Sequence, residues 1–345
     1  MFKRIVILSL LACMTSGCVK EDTGECAPGL RLYFRYTYNN MGQDQLASRI
    51  GDIRIYLFDQ STGLLTDIIR AERQDIDRGW MEPSISKGVY TVVAWAADGE
   101  DMMQGGYHDA EMINPATHTF IPQARIGVTT LDNFRMVLTS DALPAGSIGE
   151  ITPSTEDFDH LFFAIAANVS IANKNGQVVE LDFIKNTSIL KVKVTGLEHL
   201  TRAPAADQPL SVFVTGRNER GGYNNAIGSH AREVRYEPPC KTLTVTTANF
   251  DIKVQRLDIA YHIAHPVLLY VRNQHDGQDV IVPLDVMDAI LQAEDAQGNP
   301  IWQTQEAIDR EDEFPIEISI LHDLNVRVTV NGFEIVDTTP DIDRN

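Results

Sequence analysis

Residues 30–38 have the sequence LRLYFRYTY, in which Leu, Phe and Tyr side chains alternate with mostly polar ones. Successive side chains of a strand point to opposite faces, so this period of two predicts a half-buried strand. Similar patterns occur at residues 53–57 and 189–195, and the apolar run at 89–95 predicts a strand with both faces partly buried.

Further strand candidates are short apolar or alternating runs bounded by turn residues: 135–138, 161–164, 168–171, 178–183, 211–215, 243–246, 252–254, 267–271, 280–282, 316–320 and 326–336. Asn331-Gly332 predicts a type I′ turn, so the last run is expected to be a hairpin. Residues 285–295 are the best helix candidate, and residues 97–125 have no clear periodicity.

Many short strands and little helix are typical of antiparallel β-sandwiches. The 345 residues are enough for two domains of ordinary size. We therefore predict an all-β chain with two tandem sandwiches, at residues 30–184 and 185–345. A single larger sandwich is the alternative.

The N-terminus has the pattern of an export signal. Lys3-Arg4 is followed by an apolar run at residues 5–14, then by Thr15-Ser16-Gly17 and Cys18. The run is too short to span a bilayer, which needs about 20 residues. The junction resembles a lipobox, which predicts a lipid on Cys18; a buried helix, or cleavage that releases a soluble secreted protein, are the alternatives.

This interpretation makes residues 1–17 the signal peptide and residues 18–29 a lipidated tether. Lys20-Glu21-Asp22 resembles an export signal that places lipoproteins on the outer face of the outer membrane. A simple solvated tether is the alternative.

Cysteine usage leaves one open question. Cys13 leaves with the signal peptide and Cys18 carries the lipid, so Cys26 and Cys240 remain. They could pair in an oxidising compartment, or they could be separate thiols, since spacing in the sequence does not give a Cα distance.

The charge excludes one class of partner. The chain has 48 acidic and 29 basic residues, a net charge of −19. Such a field repels phosphate backbones, so we expect no nucleic-acid partner.

Enzyme motifs are missing from the sequence: it has no Gly-x-Ser-x-Gly, no phosphate loop and no His-Glu-x-x-His. His262 and His265 have the nearest metal-like spacing, but a structural role is favoured. The acidic turns at 98–101 and 276–279 lack the ligand spacing of an EF-hand. We predict no catalytic residues, metal or cofactor.

Two binding modes remain. Trp80, Trp95 and Trp302 could stack on a sugar, although Trp95 lies in an apolar strand and is expected in the core. Sheet edges could receive a strand of another chain through unpaired backbone groups, unless the closing hairpin only completes its own sheet.

The order of features carries a resemblance. Cys18 and Cys26 precede the strand at 30–39; then follow IRIYLFD at 53–59, KGVYTVVAW at 87–95, LKVKVTGL at 190–197 and the closing segment 323–336. In this order the chain resembles the fimbrillin-associated anchor and minor-subunit family of type V fimbriae.

The resemblance implies two transthyretin-like β-sandwiches and a surface lipoprotein that fixes the base of a fimbria to the outer membrane, limits its length and binds a stalk subunit. Cys18 matches the acylated cysteine. Stalk subunits of the family lose an N-terminal strand to an Arg-directed protease, whereas an anchor would keep it, here residues 30–38.

One departure concerns the closing strand, which has Gly332-Phe333 where the family often has Trp. It leaves a tip or accessory subunit, an adhesin for glycan or host protein, as the alternative to an anchor.

Overall fold

The computed structural model describes residues 29–114, 116–117, 119–139, 150–153, 157–172, 176–200, 210–227, 231–274, 277–323 and 325–335. The predicted signal peptide, Cys18 and Cys26 lie outside these ranges. We call residues 29–185 the first half and residues 187–335 the second half.

The strands of the first half are β1 (Leu30–Tyr38), β2 (Asp52–Asp59), β3 (Leu65–Ala71), β4 (Trp80–Met81), β5 (Gly88–Ala97), β6 (Tyr107–Asn114), β7 (Thr119–Pro122), β8 (Phe134–Leu138), β9 (Leu161–Ile171) and β10 (Gln177–Lys185). Those of the second half are β11 (Thr187–Thr195), β12 (Leu210–Gly216), β13 (Arg220–Gly222), β14 (Val234–Tyr236), β15 (Thr242–Leu243), β16 (Thr247–Gln255), β17 (Leu268–Asn273), β18 (Leu284–Asp285), β19 (Glu313–Ile320), β20 (Val326–Val330) and β21 (Phe333–Ile335).

The helices are short: α1 (Leu46–Arg49), α2 (Arg73–Arg78), α3 (Ile259–His262), α4 (Val286–Leu291) and α5 (Gln305–Arg310), with 3₁₀ turns at Leu131–Asn133 and Leu197–His199. The prediction of an all-β chain is confirmed.

The first half contains a seven-stranded sheet in the order β3-β2-β5-β9-β10-β1-β4. β9 and β10 pair only at Ile184–Phe163 and Lys185–Phe162. Inward side chains of β1 and β10 share one apolar core with those of β2, β5 and β9, together with α1 and α2. The opposite face of β2 and β5 packs through Tyr56 on Phe134 of β8, in a four-stranded sheet β13-β8-β6-β7.

The second half is a sandwich of a six-stranded sheet, β15-β16-β11-β19-β20-β21, and a four-stranded sheet, β14-β12-β17-β18. Alternate side chains of β11, β16 and β19 face inward and meet those of β12 and β17 in one core. The outward side chains of β11 include Lys191 and Lys193, which pair with carboxylates of the neighbouring strands. The alternation that the sequence shows at 189–195 is therefore this division between core and solvent.

Most strand pairs are antiparallel, but each large sheet contains one parallel pair. β1 pairs with β10 in parallel, from Leu30–Gln177 to Tyr38–Ile184. β11 pairs with β19 in parallel over seven residues. Parallel strands need a long crossover between them, and the first pair is separated by most of the first half.

Several predicted elements differ from the structure. Residues 97–125 hold β6 and β7; β6 is covered on both faces and buries Asp109 and Glu111, so its sequence does not alternate. The runs at 161–164 and 168–171 form one strand, β9, in which Asn168 has a positive φ of 58°.

The C-terminal elements are also shorter than expected. The helix predicted at 285–295 spans only Val286–Leu291, where the Asp285 side chain accepts from the backbone N–H groups of Met287 and Asp288. The strand predicted at 280–282 is wrong: a single bridge joins Asp279 to Arg272 there.

One strand crosses between the halves. β13 pairs antiparallel with β8, from Arg220–Val137 to Gly222–Arg135. Just before it, Glu219 is fully buried and binds the Arg232 side chain, with Nε and Oε2 2.5 Å apart. Arg220 also pairs with Glu219, at 2.9 Å. Loss of Glu219 would be costly, because it would take the carboxylate away from two buried guanidinium groups. The second half thus completes a sheet of the first.

Gly221 of β13 lies against the buried ring of Trp95. A Cβ at this position would lie 2.7 Å from Trp95 Cη2, whereas the nearest atom to a Cβ at Gly222 would be Asn224 Oδ1, at 3.3 Å. We expect Gly221→Ala to lower the free energy of unfolding by about 1–3 kcal/mol, because the indole and β13 must move apart.

Chemical denaturation followed by circular dichroism checks this expectation, with Gly222→Ala as the matched control that costs much less. Equal losses for the two variants would contradict the close fit of β13 on Trp95.

Candidate docking surfaces and tether attachment

β1 is held in the first half on both sides. The side chains of Leu30, Leu32, Phe34 and Tyr36 are at most 2% exposed. On the side away from β10, its backbone groups are also used: the Phe34 N–H donates to Gly79 O (2.9 Å), and the Tyr36 N–H donates to Asp44 Oδ1 (3.0 Å). These contacts cover the outer edge of β1, so the groove that this strand occupies is closed by the chain itself.

The carboxyl end of β1 touches the second half. The Arg310 guanidinium lies 4.2 Å from the Tyr38 ring and donates to the carbonyl oxygens of Thr37 and Asn39, each at 3.4 Å. Asp312, just after α5, pairs with both Lys185 and Arg49. Lys185 is 7% exposed, and burial lowers its pKa while Asp312 opposes that shift.

These contacts show which end of β1 lies next to the second half. β1 starts beside Gln177, where Gly29 approaches Gly176, and ends at the second half. The predicted tether therefore attaches at the end of the first half that faces away from the second half. β1 has nine residues and is about 30 Å long, so the attachment point of the predicted tether lies about that far from the contacts with the second half.

β21 is a free edge strand within the described part of the chain. It pairs with β20 from Val330–Phe333 to Val328–Ile335, and no described strand pairs with its other side. A cleft of about 370 Å³ borders it, lined by Leu291, Gln292, Glu294, Pro300, Gln303, Phe333 and Glu334. Unpaired backbone groups beside a cleft are what an added strand requires.

The register places this edge far from the tether. β19 starts next to the first half, at Asp312–Glu313, and Ile316 lies beside Val330 while Ile320 lies beside Val326. β21 therefore runs away from the first half as it passes from Phe333 to Ile335. The free edge lies on the half of the molecule that is distal to the tether.

The longest edge strand of the first half, β3, is partly blocked. The Leu65 N–H donates to Thr129 O and the Gly127 N–H donates to Leu65 O, so a loop covers its start. Further along, the Ile68 N–H donates to the side chain of Asp67 (2.9 Å). A charged side chain that occupies an edge N–H is a common protection against unwanted pairing.

A second cleft, of about 430 Å³, lies where residues 157–160 approach the outer face of β16. Its four charged groups are already paired, Lys253 with Asp157 and Lys241 with Asp251. Mutual neutralisation leaves this cleft without a free charge to bind a ligand.

Next to this cleft, the junction of the halves contains titratable groups with shifted pKa values. Asp159 lies against Gly99 and Gly105, where an added Cβ would approach its Oδ2 to 2.1 and 1.9 Å. Burial, with the nearby Asp98 charge, raises the pKa of Asp159 to about 6. Burial lowers the pKa of His160 to about 3, and its Nδ1 lies 2.7 Å from Thr187 Oγ1 of β11.

The three tryptophans do not form a shared sugar-stacking surface. Trp95 and Trp302 are 0% and 5% exposed and pack on Phe163 and Phe314. The Trp80 ring is covered by two guanidinium groups, those of Arg78 at 3.9 Å and Arg31 at 4.6 Å.

The histidine spacing has a structural use. His262 is 2% exposed, and its ring nitrogens lie 2.8 Å from His265 O and 3.3 Å from Arg256 O. Within the described ranges, no group of three or more His, Cys, Asp or Glu side chains is arranged to hold a metal ion.

Cys240 is partly buried, and its Sγ donates to Thr242 O at 3.3 Å. Its proposed partner Cys26 lies outside the described residues, so the disulfide stays a prediction. In the described part of the chain, no helix is long and apolar enough to cross a membrane.

Sequence patterns missed the residues that join the halves. Arg310, Asp312 and the segment Glu219–Gly222 have no periodicity or motif that distinguishes them from the other charged and turn residues. The one local signal is a pair of adjacent charges before Gly-Gly in a strand-rich region. If this segment is a strand covered on both faces, both charges must be buried and paired.

Comparisons with known proteins give a consistent result. The family model of fimbrillin-A associated anchor proteins Mfa1 and Mfa2 matches residues 23–339. No curated protein sequence matches the chain.

Solved structures share the fold. A candidate polysaccharide-binding protein from Bacteroides thetaiotaomicron aligns with a TM-score of 0.66 at 17% identity, over 89% of this chain and 97% of that one. A candidate adhesin from Bacteroides ovatus gives 0.65 at 15%, over 89% and 94%. The fimbrial anchor protein Mfa2 from Porphyromonas gingivalis gives 0.61 at 17%, over 90% and 99%.

The raised pKa of Asp159 predicts a pH-dependent cost. Between its ordinary value of 3.8 and about 6, the folded state keeps a proton that the unfolded state releases, so this group lowers stability as pH rises. His160 acts oppositely: the unfolded state binds a proton below 6.5 that the folded state does not, so its contribution rises with pH.

Asp159→Asn isolates the first effect. We expect the variant to be more stable than the parent by about 1–2 kcal/mol at pH 7, after a discount for partial exposure, and the difference to shrink as the pH falls toward 4. Denaturation curves at several pH values check this; a difference independent of pH would refute the assignment.

Proposed function

The chain belongs to the fimbrillin-A associated anchor protein family, and from that membership we propose that it anchors and terminates a fimbria at the outer membrane. In this proposal residues 1–17 are removed on export, Cys18 carries lipid, and residues 18–29 form the tether. Residues 30–184 and 185–345 are the two sandwich domains. The family and the neighbouring folds support a fimbrial anchor or adhesin-like role at the cell surface.

The observation that carries the proposal is the arrangement of the two ends. The tether attaches at the amino end of β1, and the free edge of β21 lies on the half that points away from it. A protein that joins a membrane to a polymer needs its two attachment points on opposite sides.

The occupied groove of the first half supports the anchor role further. β1 buries four apolar side chains and has its outer backbone groups covered. A subunit that keeps this strand has no open groove in the first half for a partner strand. Addition to the edge of β21, beside the cleft, is the route that we propose for a stalk subunit.

An adhesin or glycan-binding module is the alternative from another functional class. It has weaker support from the described residues, because the tryptophans are buried or covered by arginine and the exposed large apolar side chains are aliphatic. A tip or accessory subunit would bind saturably to a defined glycan or host protein, and would not retain the polymer on the cell.

The tether makes a direct prediction. Cys18→Ser removes the atom that takes the lipid, so the variant should leave the membrane fraction and shed fimbriae into the medium. Cell fractionation with an antibody to the chain measures this, with Cys240→Ser as a control that stays on the membrane. Retention of Cys18→Ser on the membrane would disprove the lipid anchor.

The docking edge makes a second prediction. Phe333→Asp places a charge beside the backbone that a partner strand would use, so the yield of stalk subunit that co-purifies from sheared cell surfaces should fall at least several-fold. Leu243→Asp, on β15 at the opposite edge of the same sheet, is the matched control.

Thermal unfolding of both variants is measured as a control for correct folding. Equal co-purification with Phe333→Asp and Leu243→Asp would exclude β21 as the docking edge. Loss with Leu243→Asp alone would move the docking site to β15.

A further inference from the structure

The direction of β1 relative to β10 decides how this strand pair responds to tension; the tension itself rests on the tether of the proposed function. A pull on the membrane side enters at Gly29 and acts on the amino end of β1. A pull on the fimbrial side acts on the second half, which follows β10 after one residue, Asn186, since β11 starts at Thr187. The tension therefore enters one strand of a hydrogen-bonded pair and leaves by the other.

We propose that β1 and β10 form a shear clamp that transmits tension from the membrane tether to the second half. The two strands are parallel, so the amino end of β1 and the carboxyl end of β10 lie at opposite ends of the pair. Tension between those ends slides the strands along each other. An antiparallel pair with the same connections would be loaded at one end and would peel apart.

Sliding loads all the hydrogen bonds of the pair together, whereas peeling breaks them one at a time. The paired register extends from Leu30–Gln177 to Tyr38–Ile184. Sliding must also pull the side chains of Leu30, Leu32, Phe34 and Tyr36 out of the core, where they are at most 2% exposed. Each adds resistance along the direction of the pull.

A side chain closes the gap in the ladder. The register of the pair shifts between Arg35 and Tyr38, and there the Asp182 carboxylate accepts from the Thr37 N–H at 2.9 Å and from Thr37 Oγ1 at 2.5 Å. These charge-assisted bonds replace backbone bonds that the shift removes. Glu180 makes a different cross-strand contact, an exposed ion pair with Arg35.

The far end of the clamp is fixed to the second half. Arg310 contacts the carbonyls of Thr37 and Asn39, and Asp312 pairs with Lys185. β11, which receives the load from β10, lies between β16 and β19 in the six-stranded sheet. The load thus passes to a strand that is paired on both sides.

Single-molecule pulling on purified, non-lipidated protein produced without residues 1–17 tests the clamp by changing only the direction of the force. Without the lipid, the Cys18 thiol is free to carry a handle. For shear, handles are attached at Cys18 and at Val245→Cys, an 80% exposed site on the second half. For peeling, they are attached at Cys18 and at Val178→Cys, which is 63% exposed and opposite Arg31. The other cysteines are replaced by serine in both proteins.

We expect the rupture that frees β1 to need a several-fold higher force in the shear geometry. Asp182→Ala should lower that force, while Glu180→Ala, on the same strand, should leave it near the parent value. Equal forces in the two geometries, or unfolding of the second half at a lower force before β1 is freed, would overturn the proposal.

The experiment does not depend on a stalk subunit or on lipidation. A failure here with release of Cys18→Ser from membranes would leave the anchor function standing and remove the clamp. Clear shear resistance with Cys18→Ser still on the membrane would instead disprove the tether.

Discussion

The pairing of β1 with β10 is the contact on which the first half depends. β1 supplies four inward side chains to a core that β2, β5 and β9 close from the other side. Burial of side chains of this size contributes about 1.5–3 kcal/mol each, so loss of the strand would remove a free energy comparable to the net stability of a whole domain. The sheet order, the covered outer edge and the expected position of the predicted tether all follow from where β1 lies.

The junction of the halves depends on charge in a way that the cores do not. Glu219 and Arg232 are buried together at β13, while Asp312 bridges Lys185 and Arg49 at the end of β1. The first pair lies within the second half, next to the strand that enters the first half, and Asp312 links the two halves directly. Removing one partner of a buried pair is costly, so these contacts resist other orientations of the two halves. That orientation keeps the predicted tether apart from the free edge of β21.

Period-two patterns predicted the strands whose two faces differ in environment. Residues 30–38, 189–195 and 316–320 alternate because one face meets a core and the other meets water. The same logic fails for β6, which buries charged side chains. It also fails for β13, whose Gly-Gly pair has low β propensity and whose position depends on contacts with Glu219, Arg232 and Trp95. The parallel register of β1 is not visible in its sequence, because it is set by a partner more than 140 residues later.

The candidate site was predicted only in outline. The hairpin at Asn331-Gly332 could be recognised from its turn residues, and with it the presence of an edge. The cleft beside β21 depends on segment 291–303, which has no strand pattern, so neither its place nor its lining follows from local sequence. The role of Cys18 was predicted from the lipobox pattern and the family resemblance, and this residue lies outside the described ranges.

The insertion of β13 into the first half also constrains the order of folding. As the chain is synthesised from its amino end, β8 becomes available more than 80 residues before Gly221 can pair with Met136. Until then the edge of β8 and the face of Trp95 are uncovered, and an open edge beside an apolar ring invites pairing between neighbouring chains. A chaperone that shields this edge would protect the protein at the stage when it is most prone to aggregate.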